Sequence, residues 1–161
     1  MRTVIADDLD RSDMTTQINR AINRAIEFYE GEPFWFKETV GTFSTSASTK
    51  IYTTSTIPGD IANINYMEVV VSGNDYEVSP ITLKEIESMD VNHATGIPSR
   101  YAYYNQSIYL YPIPDATYTV RVSYTKTYST LSADSDTNDW TTDAEDLIEA
   151  RALWALYART I

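Results

Sequence analysis

The stretch that most constrains the fold is Gly96 to Lys126, GIPSRYAYYNQSIYLYPIPDATYTVRVSYTK. Short runs of alternating bulky and polar residues are broken by Asn-Gln and by Pro-x-Pro, as antiparallel strands are. It reads as three consecutive strands of a meander. Eight of the chain's 13 tyrosines fall between Tyr101 and Tyr128, and tyrosine suits a pleated, half-buried surface. With Asn105-Gln106 as a two-residue turn, Tyr103 faces Ile108 and Tyr101 faces Leu110, all on a core side. Tyr104, Tyr109 and Tyr111 then share the other side, with Arg100 opposite Tyr111. A slip of one residue exchanges the two sides, because the side-chain period is two. Pro112 and Pro114 end the second strand. From Thr117 to Lys126 the third carries Tyr118, Val120, Val122 and Tyr124 on one face. Thr119, Arg121, Ser123 and Thr125 lie on the other, so this strand is half-buried.

Helices flank this stretch. Asp7, Asp8, Asp10 and Asp13 precede a helix predicted from Thr15 to Glu30, where negative charge suits the macrodipole. Ile18, Ile22 and Ile26 recur every four residues, and Ala21, Ala25 and Tyr29 widen the stripe. Arg20 and Arg24 fall on a different face, where Glu27 can offset their mutual repulsion. That face is either a solvated basic stripe or a docking surface for an acidic neighbour, such as another copy of the chain. Gly31 and Pro33 stop the helix. Pro33-Phe34-Trp35-Phe36 is an aromatic corner, read as the plug joining helix to sheet. Three large rings in a row cannot all face inward, so one is free to anchor a neighbour, and Trp35 is the candidate.

Further strands are expected at Val40 to Ser44 and Ile51 to Thr54, joined by a mobile polar hairpin tip at Thr45 to Lys50. Ile57-Pro58-Gly59-Asp60 is a turn. Met67 to Ser72 and Asp75 to Ser79 form a hairpin about Gly73-Asn74. A short helix from Thr82 to Met89 opens on a capping box, Thr82 with Glu85, and aligns Leu83, Ile86 and Met89. Leu131 to Asp139 is an acidic loop. A last helix begins near Thr142, with Glu145 as its capping partner. Residues Ala152 to Ala158 are apolar nearly all round, so Leu153, Trp154 and Tyr157 need cover on more than one side. The chain stops at Ile161 inside this helix, and either the protein continues or another subunit protects the end.

Composition narrows the chemistry. Cysteine is absent, which excludes disulfides and thiolate sites. No apolar run reaches membrane-span length, and no secretory signal is visible. A formal net charge of −11 opposes wrapping nucleic acid, which needs Lys and Arg at the phosphates. The single histidine, His93, stands in a loop with no glycine-framed serine, so it reads as a loop residue. The carboxylates lie in polar stretches that would not raise a pKa for acid catalysis. Asp134, Asp136, Asn138 and Glu145 fall at positions 1, 3, 5 and 12 of an EF-hand count. Position 6 is Asp139 where glycine is needed, so these remain weak metal candidates, and the other reading is a loop capping the final helix. No catalytic residue, cofactor or committed metal site is assigned.

The order of motifs along nearly the whole chain resembles the phage head-to-tail adaptor family. The features are INRAINRAIEFY with the following FWF, the Ile-Pro-x-Asp turn at Ile57 to Asp60, and Gly96-Ile97-Pro98 before a tyrosine strand. They continue with Ile108 to Pro114, the Tyr118 to Tyr124 strand, Leu131 before an Asp/Asn loop with Trp140, and a closing helix with Leu147, Ile148, Arg151 and Ala152. The resemblance implies a non-enzymatic virion protein: a ring subunit, commonly in twelve copies, linking the portal to tail or nozzle proteins. DNA would pass through its lumen without sequence-specific binding. It implies synthesis in the host cytoplasm and no membrane partner; one departure is that such adaptors often carry a longer C-terminal segment that engages the portal, whereas this sequence ends inside the last helix. The fold expected is α+β, with N- and C-terminal helices packed together, an antiparallel sandwich- or barrel-like β insertion, and one short helix. Residues 1–161 form one domain, with a helical part at 1–36 and 140–161, a β part at 37–128 and the acidic loop at 129–139. Interface candidates are Arg20, Arg24, Trp35, Tyr104, Tyr109, Tyr111, Leu153, Trp154 and Tyr157. The alternative function is a calcium-dependent recognition module using the 134–145 loop and exposed tyrosines; a small hydrolase ranks behind it.

Overall fold

The computed structural model describes residues 1–10, 13–133 and 136–160, the last two without their side chains. The elements run α1 (Arg2–Asp8), α2 (Thr15–Tyr29), β1 (Glu38–Ser44), β2 (Ile51–Tyr52), β3 (Ile61–Val71), β4 (Asn74–Glu77), β5 (Ser79–Pro80), α3 (Leu83–Met89), β6 (Thr95–Gly96), β7 (Arg100–Tyr104), β8 (Ser107–Tyr111), β9 (Ile113–Pro114), β10 (Thr119–Lys126), α4 (Asp139–Asp143) and α5 (Glu145–Thr160). The fold is α+β, as expected. Two compact units are present: residues 1–37 with 128–161, and residues 38–127.

In the first unit the isoleucine stripe does what its spacing dictates. Ile18, Ala21, Ile22, Ala25 and Ile26 are buried on α2. They pack with Ile148, Ala152 and Leu156, a matching four-residue stripe on α5, around a fully buried Trp140. Each buried isoleucine contributes about 1.5–3 kcal/mol. Phe34 and Phe36 stack at 5.3 Å and meet Trp140 edge-on at 5.1 and 5.0 Å. The aromatic corner therefore plugs this helical core. Lys37, next in sequence, is buried. Its ammonium donates to the Glu30 and Glu32 carbonyls at the end of α2 and lies 5.8 Å from the Trp140 ring. Those carbonyls have no partner inside the helix, so a cation there caps it.

Two helical expectations need correction. The acidic residues before α2 do not sit in its first turn: Asp7 and Asp8 end a separate helix, α1, whose Ile5 is buried in the core. Seven residues with one buried side chain leave no periodic signal. The last helix is also split. Asn138, not Thr142, caps α4 through a reciprocal box with Thr141. Ala144 then leaves helical geometry before α5 begins at Glu145. Asn138 competes better for the backbone amide because its short amide side chain reaches it from extended φ/ψ.

The second unit is a β sandwich. One sheet has the order β1-β10-β3-β4 and the other β2-β8-β7-β5. Their inner faces share one core, with Met67, Val69, Val120 and Val122 from the first and Tyr101, Ile108 and Leu110 from the second. The hairpin register is the one expected: Tyr103 opposes Ile108, Tyr101 opposes Leu110 and Arg100 opposes Tyr111. The strand alternation of β10 also holds, with Val120, Val122 and Tyr124 buried.

The meander does not. β10 leaves its sequence neighbour β8 and enters the opposite sheet between β1 and β3. The segment after Tyr111 pairs instead as β9 with β6, in parallel. Two prolines in three residues cannot continue a ladder, and they let the chain cross between sheets. β1 and β2 likewise belong to different sheets and form no hairpin. The loop between them is anchored: Thr45 is buried, its hydroxyl donates to the Ala116 carbonyl at 3.0 Å and accepts from the Tyr118 amide at 2.7 Å. The Tyr52 hydroxyl holds the Thr49 carbonyl at 2.9 Å. The β3–β4 turn is Ser72-Gly73, both with positive φ, one residue earlier than expected. The Ile-Pro-x-Asp turn locks the sandwich edge. Ile57 is buried, Pro58 covers Gly41 so closely that a Cβ there would lie 2.7 Å from it, and Asp60 accepts the Tyr124 hydroxyl at 2.8 Å.

Candidate functional site

The helical stripes leave one face of α2 and α5 without cover among the described residues. Arg20 and Arg24 are exposed on it, as their spacing requires. Neither has an ion-pair partner among the described residues, Glu27 included. Phe28 is 58% exposed and Trp154 60% exposed. The Arg151 guanidinium lies 3.8 Å from the first ring centroid and 4.7 Å from the second. An arginine close to two aromatic rings gains cation–π attraction from each. Beside this stack runs a groove of about 290 Å³, floored by Ala21, Ala25, Ala155 and Ala158. A second hollow of about 180 Å³ adjoins it, sharing Ala21, Arg24 and Ala155. Small side chains make the floor because alanine gives the helices a close approach and leaves volume above it.

Leu153 is half-buried against the helical core, and Tyr157 is exposed with its hydroxyl donating to the Asp8 carbonyl at 3.3 Å. Trp35 is 74% exposed. It borders a hollow of about 540 Å³ lined also by Asp143, Glu145 and Asp146. Phe28 and Arg151 were absent from the sequence-based candidates. Arg151 and Trp154 are three apart on a helix, a spacing that does place side chains together, so half of that stack was open to inspection.

In the β unit, Tyr104 is exposed, whereas Tyr109 and Tyr111 are half-buried. Tyr111 donates to the Met89 carbonyl at 3.1 Å, so α3 already uses part of this face. The buried Ala102 lies on the same side. The three tyrosines therefore make no continuous open surface.

The weak metal candidates serve local bonds. Asp134 lies outside the described residues. One Asp136 oxygen accepts from the Ser132 and Ala133 amides and the Ser132 hydroxyl. These bonds, the Ala133 amide first, hold its carboxyl below the usual carboxylate range. Asn138 caps α4, and Glu145 pairs with the N-terminal ammonium at 3.0 Å. Among the described residues no group of three His, Asp or Glu side chains is arranged to hold a metal. His93 is exposed with φ of 48°, and its Nδ1 lies 3.6 Å from the Asp90 carboxylate. That carboxylate is held down chiefly by a hydrogen bond from Lys50, 2.8 Å away. The cluster ties the end of α3 to the residue that precedes β2. No helix among the described residues is long and apolar enough to cross a membrane.

A family model described as "SU10 adaptor protein" matches residues 1–160. No curated protein matches the chain.

Proposed function

The chain belongs to the SU10 adaptor protein family, a phage head-to-tail adaptor family, and is a structural component of the virion; on that premise we propose that it assembles with itself into a ring between the portal and the tail or nozzle proteins. The ring has twelve copies in this reading, matching the portal, and DNA passes its lumen without sequence-specific contact. The whole chain, 1–161, acts as one adaptor unit, made in the host cytoplasm and incorporated without enzymatic activity. The observation that carries this reading is the α2–α5 face. It combines exposed Trp154 and Phe28, an apolar groove and arginines without an ion-pair partner among the described residues, in a chain of net charge −11. Large exposed aromatics beside arginine are what protein interfaces bury. Leu153, Tyr157 and Trp35 extend the candidate contact, and Tyr104 is its counterpart on the β unit. A net negative charge also lets DNA slide past without sticking.

Light scattering of the chain alone and with purified portal tests the proposal. The expected result is a discrete oligomer, or one formed on the portal. Trp154→Ala is expected to weaken that assembly at least tenfold, roughly 1.4 kcal/mol or more, while shifting the urea midpoint little, since the side chain is 60% exposed. A strict monomer that ignores portal would overturn the ring. Equal losses in assembly and folding would place Trp154 in the private core.

A further inference from the structure

The helical unit carries two exposed surfaces of opposite charge. One is the arginine-rimmed groove between α2 and α5, with Arg20 and Arg24 unpaired among the described residues and an alanine floor. The other is the acidic ridge that rims the hollow of about 540 Å³ at the α4–α5 junction, where Trp35, Asp143 and Asp146 are all exposed. We propose that the Trp35 ridge of one copy occupies the arginine-rimmed groove of a second copy. This rests on the self-assembly reading above and names the two surfaces that meet.

Three observations favour a second copy as occupant. At a formal charge of −11, copies repel over most of their surface, so contact needs a local basic patch. The groove supplies one, and the ridge supplies the matching carboxylates. Trp35 is the most exposed aromatic side chain described outside that groove, and an indole over a guanidinium gains cation–π attraction as it leaves water. The ridge spans residues 143–146 and the groove's α5 wall residues 151–158. Asp146 lies on α5 itself, about eight residues before the centre of that wall, roughly 13 Å at helical rise, so the two surfaces are distinct parts of one copy.

Charge reversal tests the pairing. A groove variant carries Arg20→Glu and Arg24→Glu; a ridge variant carries Asp143→Arg and Asp146→Arg. All four positions are exposed, so far-UV circular dichroism should match the parent. Each variant alone is expected to self-associate at least roughly tenfold more weakly. An equimolar mixture of the two, and a single chain with all four changes, should recover assembly, because opposite charges again face each other. The cysteine-free background allows a second readout that leaves every charge in place. Thr142→Cys and Ala158→Cys proteins, mixed, should join through a short bis-maleimide into a covalent heterodimer, and neither alone should do so to the same extent. A parent protein that is monomeric alone and on portal overturns self-assembly and the pairing together. An oligomer indifferent to both reversals, with no mixed cross-link, overturns the pairing alone. So does a groove variant that assembles normally yet loses portal, which would assign the groove to the portal.

Discussion

Tyr124 answers two demands at once. Its ring is buried in the sandwich core, and its hydroxyl donates to Asp60 across the β10–turn boundary at 2.8 Å. Burial first, then the bond and charge of Asp60, push its pKa up to about 12. An unfolded tyrosine titrates near 10, roughly. The folded value is the higher one, so the stabilisation is complete below about pH 10 and is lost as pH rises toward 12. Tyr124→Phe removes the bond and leaves the Asp60 oxygen facing a ring. The expected cost is about 1–2 kcal/mol at neutral pH, shrinking at about pH 11 as the parent loses its advantage. Urea denaturation of both proteins at the two pH values decides it, and a cost that stays constant would mean that Tyr124 ionises in the ordinary range. Lys37 was not legible as a special residue. A lysine after an aromatic corner carries no signal of burial, and only the return of Trp140 from the other end of the chain covers it. Burial lowers its pKa, opposed by Glu30 and Glu32.

At the scale of elements, the turn between β7 and β8 is the most instructive. Asn105 and Gln106 both have positive φ, 48° and 54°, as a two-residue hairpin turn of this hand requires. Asparagine tolerates that region; glutamine does not gain from it. Gln106→Gly should therefore raise stability by about 0.5–1 kcal/mol, the relieved strain exceeding the added freedom of the unfolded chain. The check is a higher urea midpoint at unchanged slope; a lower midpoint would show that the Gln106 side chain contributes a contact worth more than the strain. The same hairpin was readable from sequence because its faces alternate strictly and a slip would have inverted them. α2 was readable for the analogous reason at a period of four. α1 and α4 were not, since two turns or fewer carry too few buried positions to make a period. Of the groove, Arg20, Arg24 and Trp154 were readable as outward positions on helices, but Phe28 joins them only because α5 lies alongside α2.

At the scale of the whole molecule, the chain builds one unit from an uninterrupted segment and the other from both ends. Residues 38–127 hold a core of their own, closed by long-range pairings such as β1 with β10. We expect that segment, expressed alone, to keep a cooperative β structure by circular dichroism and urea denaturation. Residues 1–37 alone should not fold, because α2 buries its stripe on α5. A β segment that is unfolded alone would show that the sandwich depends on the helical unit. The sequence by itself determined what period and chain chemistry can express: the α+β class, the buried stripe of α2, the β7–β8 register, the alternation of β10, and the order of motifs shared with the adaptor family. Only the tertiary structure decided that β10 crosses to the other sheet, that Thr45 is a buried anchor, that Trp140 gathers the aromatic corner, and that arginines and alanines from two distant helices form one groove. Those features come from contacts between residues far apart in the chain. Local periodicity fixes which face of an element is apolar, but not which other element will cover it.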